Sequence, residues 1–421
     1  MFAPIYGNKL MKIAIIGAGA AGCFCAIQLK RSIPDAEVTL LEAGRKPMAK
    51  LAITGGGRCN FTNTFNGINS LSEAYPRGER LMKRLMKSFD QHSICEWFEH
   101  EGIAHTVQSD ECIFPASQDA MEIVNTFEGL MRRLGVKVLC SSRVTSIRKD
   151  GEGFALQLEG GSTVCCNRLI VSAGGLSKAS SAKLFDELEL EMVPVVPSLF
   201  TFNVDDKDFR SLMGTVVKDV IAAIPGTSFR ATGPLLITHW GMSGPAALKL
   251  SSYAARFLAE KGYRSPVSIN WLNVNTEEAL EWLRSTAASA AMKLVISVYP
   301  PALNSHLWKY LVNKALKRTD ARWNSLSRKD LNRLAEILTN DPYMMNGKSR
   351  FREEFVSCGG IALSNVNLNT LECKKHPGLY FAGEVLDIDA ITGGFNLQAA
   401  WTTAYTVAQA ITSECGLIRK D

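Results

Sequence analysis

The residues best suited to chemistry open with six small ones. GAGAAG at 17–22 follows the apolar run KIAII at 12–16 and precedes CFCAIQLKR, whose apolar spacing is helical. A strand that turns through glycines into a helix leaves bare backbone N–H groups at the helix N-terminus, and such an arrangement takes phosphate. Gly17 permits the tight turn, Gly19 lets a pyrophosphate approach the backbone, and Gly22 lets helix and strand pack closely. Glu37–Leu41 reads as a second strand ending at Glu42, 20 residues beyond Gly22. Its carboxylate can accept both ribose hydroxyls of an adenosine and disfavours a 2′-phosphate. The bland alternative for the glycines alone is a glycine-rich turn. Strand, helix and acid together favour a dinucleotide site.

Other polar positions have weaker claims. GGGRCN at 55–60 offers successive N–H groups, the Arg58 guanidinium and the Asn60 amide, with a structural glycine turn as the alternative. Cys59 inside that loop has no second cysteine between residues 26 and 94, which argues against a dithiol reductase and favours a small buried residue. His239 in THWGMSGP could serve as acid, base or orienting donor, or simply satisfy local backbone. Ser243 in the same string lacks the GxSxG spacing of a nucleophile elbow and reads as a turn residue. Neither the histidines nor the cysteines have metal-ligand spacing, so no structural metal is expected.

These candidates need elements to hold them. Leu169–Gly175 (LIVSAGG) and Leu379–Glu384 (LYFAGE) read as further strands, the first ending in a small-residue turn and the second in a carboxylate. After Pro194 and Pro197 the chain turns to short β-branched alternations, LFTFNV, GTVVKDVIAAI and PLLITHW, with another strand over Pro266–Asn273. Helical signals follow: Thr276 is expected to cap one helix, and Ser327 with Asp330 makes a capping box for LNRLAEIL. Strands are expected again from Phe351, and a last helix from near Gly394. There is one GxGxxG, hence no second nucleotide domain of the kind that binds NADPH.

Composition frames this reading. The chain has 421 residues, 46% hydrophobic and 21% charged, enough for two or three domains and unlike a disordered or collagenous chain. Its 11 cysteines are scattered, with Cys23–Cys25 and Cys165–Cys166 the close pairs and no CxxC, which suits a reducing cytoplasm. Residues 13–29 lack charge and mimic a leader, but the ordered glycines within them belong to a nucleotide turn; the ten residues before Met11 read as a disordered extension or an alternative start. No membrane association is expected. The net charge of +6 is uneven: residues 193–351 hold 20 Lys+Arg against 12 Asp+Glu. Within 308–333 only Asp320 and Asp330 oppose Lys309, Lys314, Lys317, Arg318, Arg322, Arg328, Lys329 and Arg333, which permits a polyanionic partner or forms a solvated helix face.

Three longer strings carry a resemblance. TGGGRCNFTN at 54–63, LLITHWGMSGPA at 235–246 and GEVLDIDAITGGFNLQAAW at 383–401 resemble the BaiN-like family of FAD-dependent oxidoreductases, which includes YhiN-like and aminoacetone-oxidase-like members. LIVSAGG and LYFAGE likewise resemble strands of glutathione-reductase-like flavoproteins, with Glu384 in place of the usual Asp and Asp387 nearby. The resemblance implies an α/β fold: a Rossmann-like FAD domain of glutathione-reductase type, split between the chain ends, with an inserted β-barrel-like domain and a small helical subdomain. The corresponding boundaries are 11–192, 193–273, 274–345 and 346–421.

FAD contacts are then expected from Gly17, Gly19, Ala20, Ala21 and Gly22, from Glu42, Ala43, Gly44 and Val144, and from Gly56, Gly57, Arg58, Cys59 and Asn60. Further contacts are expected from Ala173, Gly174 and Gly175, from Gly383, Glu384 and Asp387, and from Gly394, Phe395, Asn396, Leu397 and Gln398. Relatives carry a longer Gly- and Thr-rich loop where this chain has LSKASSAKLFDEL, so substrate specificity does not transfer through that loop. The implied activity is hydride transfer between flavin N5 and an organic substrate, by C=C reduction or by amine or alcohol oxidation. One alternative is reduction of uridine in ribosomal RNA, another a non-catalytic flavin-binding module. The substrate is thus a small molecule or RNA, and the redox donor stays unidentified.

Overall fold

The computed structural model describes residues 10–176, 183–348 and 356–416. The expected N-terminal extension, part of the LSKASSAKLFDEL loop and Phe351 lie outside these residues. The chain divides into two compact units, one made from its two ends up to Val196 and from Val356, the other spanning Pro197–Phe355.

In the first unit β1 (Lys12–Ile16) is central to a five-stranded sheet, flanked by β2 (Glu37–Leu41) and Lys137–Leu139 on one side and by Arg168–Val171 and Leu379–Phe381 on the other. All neighbours are parallel. β1 and β2 are buried except at their first residues, which is why they read as continuous apolar runs rather than alternations. Helix α1 (Ala20–Ser32) crosses back over the sheet and packs on the C-terminal helix Phe395–Glu414. Between them lies an aromatic cluster in which Phe24 stands 5.0 Å from Trp97 and 5.6 Å from Trp401, both edge-on. The first of the further strands ends at Val171 and passes into the expected small-residue turn, whereas the strand expected over Leu379–Glu384 ends earlier, at Phe381. Gly174 (φ 73°) and Gly383 (φ 75°) adopt left-handed backbone that no strand continues.

The second unit is a closed barrel of six strands, ordered Phe202–Val204, Gly241–Ser243, Arg230–Ile237, Val216–Ala223, Arg264–Asn270 and Asp341–Lys348. Its interior is filled by residues such as Phe202, Leu235, Ile237, Val267, Ile269 and Met345. Three helices, Thr276–Ser289, Ser305–Leu316 and Arg328–Thr339, lie between the last two of these strands in sequence. The boundary expected at 345 falls inside the closing strand, whose first half alternates buried and exposed side chains. Ser327 and Asp330 form the expected capping box. At the preceding helix the cap is Asn275 rather than Thr276: Asn275 has extended backbone and its side chain accepts the Glu278 N–H, while Thr276 is already helical.

A buried carboxylate ties these helices to the barrel. Asp341, fully buried, accepts from Trp271 Nε1 at 2.9 Å and Tyr343 OH at 2.5 Å and pairs with Lys314 Nζ at 2.5 Å. Half-buried Lys314 is therefore committed to this carboxylate, with its Nζ 3.8 Å over the Tyr343 ring. Burial raises the Asp341 pKa, opposed by Lys314 and the two hydrogen bonds. Lys314→Met is expected to destabilise the protein by about 3–5 kcal/mol, with Lys314→Met/Asp341→Leu recovering most of it. An acid whose folded pKa is raised loses stability as pH rises above its unfolded value, so urea denaturation at several pH values should show the Lys314→Met deficit shrinking in acid.

Candidate functional site

The glycine turn is set by two contacts that leave no room for a side chain. Gly17 has φ 99°, donates its N–H to Leu41 O at 2.8 Å, and an added Cβ would stand 2.4 Å from Ser172 O. At Gly22 a Cβ would stand 2.0 Å from Gly17 O. Gly19 is different: it caps α1 with extended backbone, no side chain caps the helix, and a Cβ there meets nothing within 4 Å. Open space thus lies over the N–H groups of Ala20, Ala21 and Gly22, which have no intrahelical partner, and the first turn carries no acid. Glu42 is turned toward this point. Its Oε2 accepts the Ala18 N–H at 2.9 Å and its Oε1 the Gly44 N–H at 2.6 Å, leaving lone pairs for hydroxyl donors. Ser141 and Ser142 donate backbone N–H groups to Gly44 O and Glu42 O at 2.7 and 2.8 Å, bringing half-buried Val144 and exposed Ala43 to the same edge.

The middle of the site joins both ends of the chain. Ser172 Oγ donates to Ile16 O or Gly17 O, at 3.1 and 3.0 Å, and Ala173–Gly175 follow from it. A Cβ at Gly175 would collide with Ser357 Oγ at 2.2 Å and Glu384 Oε1 at 2.7 Å. Gly383 lies 3.1 Å (as a built Cβ) from the Ala21 side chain and donates to Thr403 Oγ1 at 2.9 Å. Glu384 sits not at a strand end but in the turn Gly383–Val385; its Oε1 accepts the Ser357 N–H at 2.8 Å and its Oε2 stands 4.0 Å from Lys50 Nζ. Asp387 is half-buried and donates its backbone N–H to Ile361 O at 2.9 Å.

The third part is the meeting of TGGGRCNFTN with the start of the C-terminal helix. Gly55, Gly56 and Gly57 all have positive φ, and a Cβ at Gly56 or Gly57 would meet nothing. Arg58 folds back, donating from Nε to Gly55 O at 3.1 Å with its guanidinium 4.4 Å over Phe114. Cys59 is fully buried, and burial pushes its thiol up to about 12 against the opposing Thr54 hydrogen bond. It is a packing residue, not a thiolate. Asn60, with its amide oxygen toward Gly394, accepts that residue's N–H at 3.2 Å and donates to Thr62 O at 2.8 Å. Gly394 has φ 90°, and a Cβ would stand 2.3 Å from Thr62 O. Thr62 Oγ1 donates to buried Gln398 at 2.6 Å, Trp401 Nε1 to Phe61 O at 2.9 Å, and Asn396 clasps Ala390 through its N–H and carbonyl at 2.9 and 3.0 Å. Phe395 and Gln398 therefore turn into the protein, and Leu397 is half-buried. What the helix start presents is backbone: Gly394 caps it without a side chain, so the first-turn N–H groups remain available to an anion.

These parts fit an FAD. Bare helix N–H groups under an open glycine suit the pyrophosphate, Glu42 the adenosine ribose, and a second uncapped helix start beside a glycine loop suits the polar edge of the flavin ring. Sequence reasoning missed the residues that support this arrangement: Tyr75, whose OH donates to Phe395 O at 2.9 Å, Asn63, whose Nδ2 donates to Gly393 O at 3.1 Å, and the buried ion pair of Arg77 with Asp389. Contacts across more than 300 residues leave no local pattern to read.

The profile of the HI0933-like protein Rossmann domain matches residues 11–410. The chain belongs to the HI0933-like family. This HI0933-like chain is 32% identical over 410 residues to an Escherichia coli K12 protein named ribosomal RNA dihydrouridine synthase, covering 94% of this chain and 96% of the relative. It is 29% identical over 420 residues to the 3-dehydro-bile acid delta(4,6)-reductase of Clostridium scindens, covering 95% and 98%. Among solved structures, the 3-ketosteroid delta1-dehydrogenase of Sterolibacterium denitrificans shares the fold, with TM-score 0.50 and 11% identity over 96% of this chain and 99% of that one. The HI0933-like protein is an FAD-dependent oxidoreductase with a Rossmann-type domain.

The expected catalytic residue, His239, lies in the second unit, exposed and edge-on to Trp240 at 4.3 Å. Ser243 ends a short barrel strand. None of the eleven cysteines forms a disulfide, and among the described residues no group of His, Cys, Asp or Glu could hold a metal, nor is any helix long and apolar enough to cross a membrane. Alkylation of the folded protein at neutral pH should label exposed Cys165 and leave Cys59 unmodified, as peptide mapping after iodoacetamide treatment would show.

Proposed function

We propose that this protein is a cytoplasmic reductase that transfers a hydride from FAD, once a separate electron donor has reduced it, to a carbon–carbon double bond conjugated with a carbonyl group. The observation that carries this reading is the start of the C-terminal helix, fixed by Asn60 and Gly394 and uncapped toward the glycine loop. Bound FAD would gain negative charge at its N1–C2 edge when a separate donor reduces it, and in that reduced form would give the hydride at N5 to the substrate. The helix N–H groups stabilise that charge, and Gly56 and Gly57 admit the ring without obstruction. The α1 N-terminus and Glu42 hold the far end of the cofactor, which fixes its orientation. The direction of the reaction draws support from the two relatives, since both a dihydrouridine synthase and a delta(4,6)-reductase are named for saturating such a bond. His239 is a candidate proton donor or orienting group.

A second substrate reading, uridine in ribosomal RNA, is favoured by the helical piece of the second unit. Lys309, Lys317, Arg318, Arg322, Arg328, Lys329 and Arg333 are all exposed there. Lys314, expected among them, is instead committed to Asp341. If these side chains meet phosphates, log affinity for RNA falls linearly with log salt, by roughly 0.7–0.9 per contact.

The deciding experiment is anaerobic. The purified protein should release FAD on acid precipitation, and after chemical reduction its flavin should be reoxidised by a conjugated enone or by a uridine-containing ribosomal RNA fragment, but not by a saturated analogue. A protein with no FAD, or with reduced FAD that neither acceptor reoxidises, overturns the reading. Glu42→Gln should weaken FAD binding by about 1.5–3 kcal/mol, the worth of a charge-assisted hydrogen bond, measured by fluorescence titration of the apoprotein.

A further inference from the structure

Residues 74–78 carry no cofactor motif, yet they grip the loop that leads into the C-terminal helix. Arg77 Nε donates to Asp389 Oδ1 at 2.6 Å and its Nη2 pairs with Oδ2, a two-point contact whose carboxylate is fully buried. The backbones of the same two residues form an antiparallel bridge. Ile391 donates its N–H to Ala74 O at 2.9 Å, the Tyr75 hydroxyl reaches Phe395 O at 2.9 Å, and at Gly78 (φ 82°) an added Cβ would stand 2.8 Å from Ile388. The gripped loop ends at Gly393 and Gly394, where the helix begins.

We propose that the Arg77–Asp389 pair is a positioning device for the flavin: it fixes where the start of the C-terminal helix points, and so how strongly that terminus stabilises negative charge on the cofactor. The inference rests on the FAD reading above. Stability alone does not call for a buried ion pair, since apolar residues of similar volume serve as well or better. Direction is what an apolar pair lacks. Two N–H···O bonds to one carboxylate fix both distance and plane. Because the field of a helix terminus fades within a turn, a small displacement is enough to weaken it.

The test compares FAD-loaded wild type with Arg77→Met/Asp389→Leu and Arg77→Lys, using sulfite, which adds to flavin N5 more tightly the more positive the surroundings of the N1–C2 edge. The apolar pair should keep FAD content and melting temperature while losing about tenfold in sulfite affinity, with a lowered flavin midpoint potential. Arg77→Lys, which keeps the charge without the two-point geometry, should fall between. Wild-type sulfite affinity and potential in the loaded apolar pair would overturn the positioning role; should that variant fail to fold, wild-type values in Arg77→Lys would do so. Wild-type protein without FAD would overturn the cofactor reading first, and the positioning role with it.

Discussion

At the crossing of β1 and α1 there is no space for a methyl group. A Cβ on Gly22 would lie 2.0 Å from the Gly17 carbonyl, and one on Gly17 would lie 2.4 Å from that of Ser172. This contact holds the α1 N-terminus at the edge of the sheet, where its free N–H groups face open space rather than a side chain. The parallel order of the sheet then brings the ends of β2, Arg168–Val171 and Leu379–Phe381 to the same edge. Glu42, Gly174 and Glu384 arrive there because strands in such sheets point the same way.

The flavin end follows a different logic, since no strand delivers it. Two segments 330 residues apart, around Asn63 and Gly393, are joined by hydrogen bonds from side chains to backbone. Left-handed glycines at 55–57 and 393–394 let the chain double back twice. The side chains named by the resemblance, Cys59, Phe395 and Gln398 among them, hold this junction together from the inside and leave backbone N–H groups to face outward.

Electrostatics separates the two units. In the first, charge is buried in the pair of Asp389 with Arg77, while pairs such as Arg143 with Glu159 stay exposed. In the second, one ion pair is buried under the barrel edge and seven basic side chains on the helical piece remain exposed. Desolvated pairs fix geometry, whereas solvated charges are available to a polyanion at a cost set by salt.

Much of this was legible without coordinates. The Rossmann turn, its acid, the β-rich insert and the Ser327 capping box all depend on neighbours within a few tens of residues, and local patterns of glycine, apolar period and capping residues record such dependence. The strand end at Phe381 and the Asn275 cap shifted by a few residues, because left-handed glycines and extended backbone at a cap are set by contacts beyond the local window. The commitment of Lys314 to Asp341, the burial of Gln398, and the Arg77–Asp389 pin were decided only by tertiary structure. A charged or polar side chain reads the same in sequence whether it meets water or a partner 312 residues away, and only the folded chain determines which of the two desolvates it.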